Sequence, residues 1–438
     1  MNRSDLAIRL ASAALPGLAG PDRLPVAWAA ADVGVRRFCL DLWSACLDAP
    51  HEAGPLLSQS FRKTRSLGSR GRRLAASVLY GLIRHEAILG LLLEAVDAPP
   101  ADPLARYLGW LVRVEGLDPE LAARELPGPA WGRLADAPSI VAARCAHLDP
   151  VDGLALGGSL PRWVAEEWLA ALGEESADLV HALSERPPMV VRTNLCRNTR
   201  EELARRLAAE GVPARPGPHA PAALVFEDRR NVHLLPSFRE GRFEVQDEGS
   251  QLVARLVGAA PGVRVVDACA GAGGKALALA DAGAEVWALD VRAPALADLA
   301  WRSTRAGVPV RVDLVRPDGP LPVPRGWADV VLADVPCSGS GTLRRHPEVR
   351  WRLHPSRVQG LAAEQAGILA RTAPLVRPGG ALVYATCSLL AMENQDVVAG
   401  FLDRHPDFSR GACLGEDGVL WPHRAGTDGF FAVRLERR

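Results

Sequence analysis

The chain has 438 residues, 48% of them hydrophobic and 23% charged, and its formal net charge is zero. That is enough for roughly two or three domains with buried cores, and it excludes a globally basic nucleic-acid binder, so any such surface must be a local patch. The sequence has no uninterrupted apolar run of the roughly 18 residues a membrane helix needs, and Arg9 interrupts the Ala/Leu-rich start, which argues against a signal peptide. The eight cysteines are scattered, with no CxxC pair, which predicts reduced thiols in the cytosol and neither a disulfide framework nor a metal site.

Residues 1–150 read as all-helical. Leu74, Val78, Leu79, Leu82 and Ile83 share one helical face, preceded by the cations Arg62, Lys63, Arg65, Arg70, Arg72 and Arg73. Such a run is ordinarily a solvated loop; RNA-phosphate contact is the alternative. Three prolines between Asp97 and Pro103 break the pattern. Residues 155–245 form a second, small α+β region: a helix over Pro161–Leu172, a strand over Met189–Asn194, and a helix capped by Thr199 with Glu202 three residues on and Gly211 at its end. From about 246 to 438, strands alternate with helices. Strands are expected at 263–268, 285–291, 308–315, 328–334 and 381–386, and helices at 275–282, 294–306, 356–375 and 394–405. This predicts an α/β domain with a mainly parallel, doubly wound sheet, closed by an antiparallel edge strand at Gly429–Leu435.

Chemistry concentrates at the expected strand ends. Val266-Asp267-Ala268-Cys269-Ala270-Gly271-Ala272-Gly273-Gly274-Lys275 is a Gly-rich turn from strand to helix, where bare backbone approaches a ligand closely. It matches neither GxGxxG nor a phosphate loop. Asp290, at the end of the next strand, suits the two hydroxyls of a ribose, a feature shared by dinucleotides and S-adenosylmethionine. Asp318 follows the third strand, either to meet an adenine amino group or simply to make a turn. Lys63 and Lys275 are the only lysines in an arginine-rich chain, so a lysine inside the turn points to a chemical requirement.

Two cysteines stand out by position. Cys337, in Ala333-Asp334-Val335-Pro336-Cys337-Ser338-Gly339, and Cys387, in Ala385-Thr386-Cys387-Ser388, each follow an expected strand, on the side where open α/β sheets bind ligands. A thiolate there is a candidate nucleophile. Cys39, Cys46, Cys145 and Cys196 read as small buried hydrophobes. After Cys337 come Arg344, Arg345, Arg350, Arg352 and Arg357 with Trp351 among them, a pattern suited to a polyanion whose base is drawn in.

Together these motifs resemble the Nop/Sun family of RNA cytosine-5 methyltransferases, in the Sun (Fmu) branch. Gln246-Asp247-Glu248-Gly249-Ser250-Gln251, Asp267 to Lys275, the two cysteine motifs, Glu393-Asn394 and Gly429-Phe430-Phe431 follow the family's order. Arg192-Thr193-Asn194 resembles the start of its RNA-binding subdomain, and Leu67 to Arg84 its NusB-like helical domain. The turn departs from the family's Ala-Pro-Gly-Gly-Lys-Thr, with Gly271-Ala272 in place of Ala-Pro and Ala276 in place of Thr; His346 and Glu348 stand where Asn and Asp are commoner.

The resemblance implies a Rossmann-like class I methyltransferase domain at 246–438, a small α+β RNA-binding subdomain at 155–245 and a helical NusB-like domain at 1–150. It implies a cytoplasmic, monomeric enzyme that methylates carbon 5 of cytosine in RNA, with small-subunit ribosomal RNA as the substrate. Cys387 would be the nucleophile, Cys337 would serve product release, and Asp334 would support ring nitrogen 3. S-adenosylmethionine would be held by Asp267, Cys269, Ala270, Gly271, Ala272, Gly273, Gly274, Lys275, Asp290, Arg292, Asp318 and Asp334. RNA would be held by Arg344, Arg345, Arg350, Arg192 and Asn194. Two alternatives stand beside it: a DNA cytosine methyltransferase with Cys337 as nucleophile, and a non-catalytic RNA-binding assembly factor.

Overall fold

The computed structural model describes Arg9 and residues 33–64, 67–228 and 230–438; Arg65, one of the cations noted above, lies outside the described residues, as does most of the Ala/Leu-rich start. The chain divides into two compact units. One comprises Met1–Arg186 with Thr342–His354, and the other Pro187–Gly341 with Pro355–Arg438.

The first unit is helical. Three of its helices begin with an Asp-Pro pair: Asp102, Asp118 and Asp149 each cap a backbone N–H through the carboxylate, with proline at the first helical position, where a missing N–H costs nothing. Leu74, Val78, Leu79, Leu82 and Ile83 are all buried, as one face of the helix Ser69–Arg84. A Cβ at Gly81 would lie 2.1 Å from the Trp110 ring, so only glycine admits that crossing. The expected boundary at residue 150 falls inside this unit, because helices Pro150–Gly158, Arg162–Leu172 and Glu175–Ser184 pack within it.

The stretch Thr342–His354 also packs within the helical unit, which corrects the expectation of a basic RNA-facing loop. Arg350 is 3% exposed. Its guanidinium donates to the carbonyls of Gly158 (2.8 Å), Leu343 (3.2 Å) and Leu183 (3.3 Å). The indole of Trp351 donates to Glu86 at 2.6 Å and meets Trp43 edge-on. Arg344 is buried and its carbonyl accepts from Arg84, while Arg345 is half-buried. Arg62, Lys63, Arg72 and Arg73 are exposed.

The second unit holds two sheets. Strands β1 (Met189–Thr193), β2 (Ala214–Pro216), β3 (Ala223–Phe226) and β4 (Phe243–Val245) form an antiparallel sheet in the order β2-β3-β1-β4. The helix Arg200–Ala209 covers it, with the predicted capping box between Thr199 and Glu202. Strands β5 (Arg264–Asp267), β6 (Glu285–Asp290), β7 (Arg311–Leu314), β8 (Ala328–Asp334), β9 (Val376–Thr386), β10 (Phe408–Cys413), β11 (Val419–Leu420) and β12 (Phe430–Arg437) form the larger sheet. Its main path runs β10-β12-β9-β8-β5-β6-β7, parallel from β9 to β7, with β12 antiparallel to β9. The final strand is therefore not an edge: β10 pairs outside it. The strand order reverses between β5 and β8, which opens a crevice at their carboxyl ends.

Candidate active site

The turn after β5 is built by glycine. Gly273 has φ +85° and caps the helix Gly274–Asp281, and a Cβ there would meet Leu299 at 2.5 Å. Backbone bonds from Ala268 to Leu332 and from Ala270 to Leu289 anchor the turn to both neighbouring strands. Arg302 donates to the Ala272 carbonyl at 2.6 Å.

Three acids and a lysine surround this crevice. Asp267 is buried, its Oδ1 has no hydrogen-bond partner, and burial, followed by the charge of Asp334, pushes its pKa up to about 7. Lys275, also buried, donates to Asp334 at 2.6 Å, with its ammonium 5.4 Å from the centroid of the Phe430 ring. Burial alone would depress the lysine, but the Asp334 carboxylate outweighs it and the net shift is upward. Asp290 accepts from Gly271 N–H at 2.7 Å and from Arg292 through its backbone (2.8 Å), Nε (3.0 Å) and Nη2 (3.1 Å). Burial opposes the ionised form of Asp290, but these bonds prevail and its pKa is lowered. Cys269 is pushed upward by burial and then by Asp267. An orphaned buried carboxylate oxygen, a glycine cradle and an acid at the end of β6 fit a nucleoside-bearing cofactor.

The thiols converge. Cys337 Sγ lies 3.1 Å from Cys387 Sγ, and the Cys387 backbone N–H donates to the Cys337 sulfur at 3.3 Å. The hydrogen bond to Cys387, then burial, raises Cys337 well above the ordinary thiol value. The strands β8 and β9 are parallel neighbours, with Asp334 opposite Ala385, so the two loops leave the sheet side by side.

Not every expected residue reaches this crevice. Asp318 is exposed in a turn after β7, and Arg371 holds the carbonyls of Arg316 and Pro317 beside it. Arg192 and Asn194, expected at an RNA surface, are buried. Arg192 pairs with Asp281 and bonds Gln246, and Asn194 donates to the carbonyls of Gly241 and Ala306, so both fasten the small sheet to the larger domain. Sequence reasoning assigned no role to Gln365, Tyr384, Ser388 or Glu393, which line the underside of the thiol loops. The available signal was Gln365, a polar residue on the stripe Val358, Gln365, Leu369 and Thr372 that the helix Pro355–Thr372 buries.

Numbered from β5 with the off-path β11 left out, the main path reads 3-2-1-4-5-7-6, and with the site at its switch point this defines a Rossmann-like class I methyltransferase fold. A family model described as 16S rRNA methyltransferase RsmB/F matches residues 256–436, and one described as the RsmF/B-like ferredoxin-like domain matches 160–233. The chain belongs to the RsmB/F family. It is 40% identical over 314 residues to a protein of Mycobacterium tuberculosis provisionally named a methyltransferase, covering 67% of this chain and 66% of that one. It is 34% identical over 294 residues to ribosomal RNA small subunit methyltransferase B of Salmonella typhi, covering 64% and 66%. The chain thus spans just under two thirds of the length of these relatives. Among solved structures, PH0851 superposes with TM-score 0.72 at 23% identity, over 92% of this chain and 98% of that one. NSun6 from Pyrococcus horikoshii with SFG gives 0.55 at 20% identity, over 62% and 97%. These two likenesses concern the fold.

Proposed function

We propose that the protein is an S-adenosylmethionine-dependent methyltransferase acting on carbon 5 of cytosine in small-subunit ribosomal RNA. It acts as a monomer in the cytosol, where that RNA is assembled. The observation that carries this reading is the pair of thiols 3.1 Å apart beside the crevice of a methyltransferase sheet. Among the described residues no single helix is long and apolar enough to cross a membrane.

The cofactor would be held by the turn from Asp267 to Lys275 and by Asp290, and when bound it supplies the methyl group. Cytosine carbon 5 is a poor nucleophile until an addition at carbon 6 makes it enamine-like. Cys387 makes that addition. The two sulfurs are within hydrogen-bonding distance, so Cys337 can exchange a proton with Cys387. Asp334, fixed by Lys275, supports ring nitrogen 3. Release requires carbon 5 to lose its proton as the carbon 6–sulfur bond breaks: Cys337, as a thiolate next to that sulfur, takes the proton while Cys387 leaves as a thiolate. The exposed cations Arg62, Lys63, Arg72 and Arg73 of the helical unit are the surface proposed for RNA phosphates. The test is incubation of purified protein with S-adenosylmethionine and small-subunit ribosomal RNA, followed by bisulfite sequencing. A single protected cytosine is expected, and no protected cytosine overturns the assignment.

A further inference from the structure

The residue after each cysteine is a serine, and both serines end on one carboxylate. Glu393, 0% exposed, accepts from Ser338 N–H at 2.7 Å, from the Ser338 and Ser388 hydroxyls at 2.5 Å each, and from Gln365 Nε2 at 3.0 Å. Gln365 also donates to the Pro336 carbonyl at 2.9 Å, and the Tyr384 hydroxyl donates to the Glu393 carbonyl. Ser340 completes the cluster, lying 3.1 Å from the Ser388 hydroxyl and accepting from Leu389 N–H. Four donors meeting one group match the acceptor-only ionised form of a carboxylate, and among the described residues no cation pairs with it.

Burying an unpaired charge is costly, and a carboxylate held only by neutral donors is a poor choice for mere stability. Its position suggests what it does. It joins the loop after β8 to the loop after β9, one residue beyond each sulfur, and its negative charge lies beneath both.

We propose that Glu393 is a positioning residue for the thiol pair: it holds the two cysteine loops together through Ser338 and Ser388, and it sets a buried negative charge one residue beyond each sulfur. This rests on the function proposed above. A second anion at Cys337 would face both Glu393 and Cys387, and both charges contribute to the upward shift of Cys337, after the hydrogen bond and burial. The other groups facing the pair are Tyr384 on β9, Gly339 N–H, which favours the thiolate, and Lys275, which faces Cys387.

The test is alkylation of the free full-length protein by iodoacetamide across pH 6–10, with Cys337 and Cys387 followed separately by peptide mass spectrometry. In Glu393→Gln the Cys337 profile is expected to move down by about one pH unit, roughly a tenfold gain in thiolate fraction at a given pH, with melting temperature retained. An unchanged Cys337 profile in a folded Glu393→Gln overturns the proposal. Ser338→Ala with Ser388→Ala keeps the charge and removes the hydroxyl links, so it serves if Glu393→Gln fails to fold. Its two thiols should lose their difference in reactivity, and a retained difference counts against positioning. No RNA enters this assay. A wild-type protein inactive on RNA therefore defeats the proposed function alone, whereas an active wild type with an unmoved profile defeats only the role of Glu393.

Discussion

Lys275 Nζ bonds Asp334 Oδ2 at 2.6 Å, so the cofactor-type turn after β5 and the cysteine loop after β8 share one buried ion pair. Breaking such a pair leaves an uncompensated charge. Lys275→Met is expected to lower unfolding free energy by about 3 kcal/mol, the low end of the range for buried pairs because Asp334 keeps partial access to water. Since the lysine is raised in the folded state, its contribution is complete below its ordinary value of 10.5 and fades as pH rises through the folded-state value. Urea melts at pH 7 and above pH 11 should therefore show the variant converging on wild type at high pH. Lys275→Arg should not restore stability, since a planar guanidinium does not fit the ammonium's place.

Asp267 gives the opposite experiment. Its folded-state value, about 7, lies above the ordinary 3.8, so its protonated form is favoured by folding. Stability is full below about pH 3.8 and is lost as pH rises towards 7, by on the order of 4 kcal/mol at most. Asp267→Asn should flatten that slope in denaturant melts across pH 4–8 while weakening cofactor affinity. A slope identical to wild type would show that the carboxyl is not the titrating group.

Asp290→Ala removes the acceptor that fixes Gly271 N–H and Arg292. Loss of charge-assisted bonds worth roughly 1.5–3 kcal/mol each predicts at least about a tenfold loss of S-adenosylmethionine affinity by calorimetry.

The thiols should separate cleanly. Cys387→Ala abolishes both methyl transfer and adduct. Cys337→Ala permits attack but stalls release, slowing turnover by roughly 10²–10⁴-fold if its role is proton handling. It should accumulate a protein–RNA species on denaturing gels that disappears in the double variant. An adduct in Cys387→Ala and none in Cys337→Ala would reverse the roles.

Arg350→Met leaves the carbonyls of Gly158, Leu183 and Leu343 without their donor. It should destabilise the protein by about 2–4 kcal/mol, with an unsatisfied buried group costing about 1–3 kcal/mol, and leave the salt dependence of RNA binding unchanged. A reduced salt slope with normal stability would return Arg350 to the RNA surface.

The alternation of strands and helices was legible because β5, β6 and β8 are apolar runs that each end in an aspartate and the second half of β9 is another apolar run, and the Thr199–Glu202 capping box is a local signal. Position after a strand was enough to single out Cys337 and Cys387. The misreadings share a cause. Arginine is written alike whether it neutralises a phosphate or ties down carbonyls, and only tertiary context separates Arg350 and Arg192 from a surface cation. The last strand looked like an edge because its partner, Phe408–Cys413, carries Ser, Arg and Gly and lacks a clear strand pattern. Glu393 was readable only as part of a motif, since its four donors come from three separate stretches of chain.

The excursion at Thr342–His354 makes the helical unit discontinuous in sequence. The segment 342–354 is translated only after β5 to β8, four of the eight strands of the larger sheet, so the helices cannot complete their packing around Arg350 and Trp351 until then. Nor can the helical unit be exchanged by a simple cut at its end. A chimera that swaps residues 1–186 alone would strand Trp351 without Glu86 and Arg350 without Gly158 and Leu183. Grafting would need two splice points, and natural recombination at one junction would be penalised in the same way.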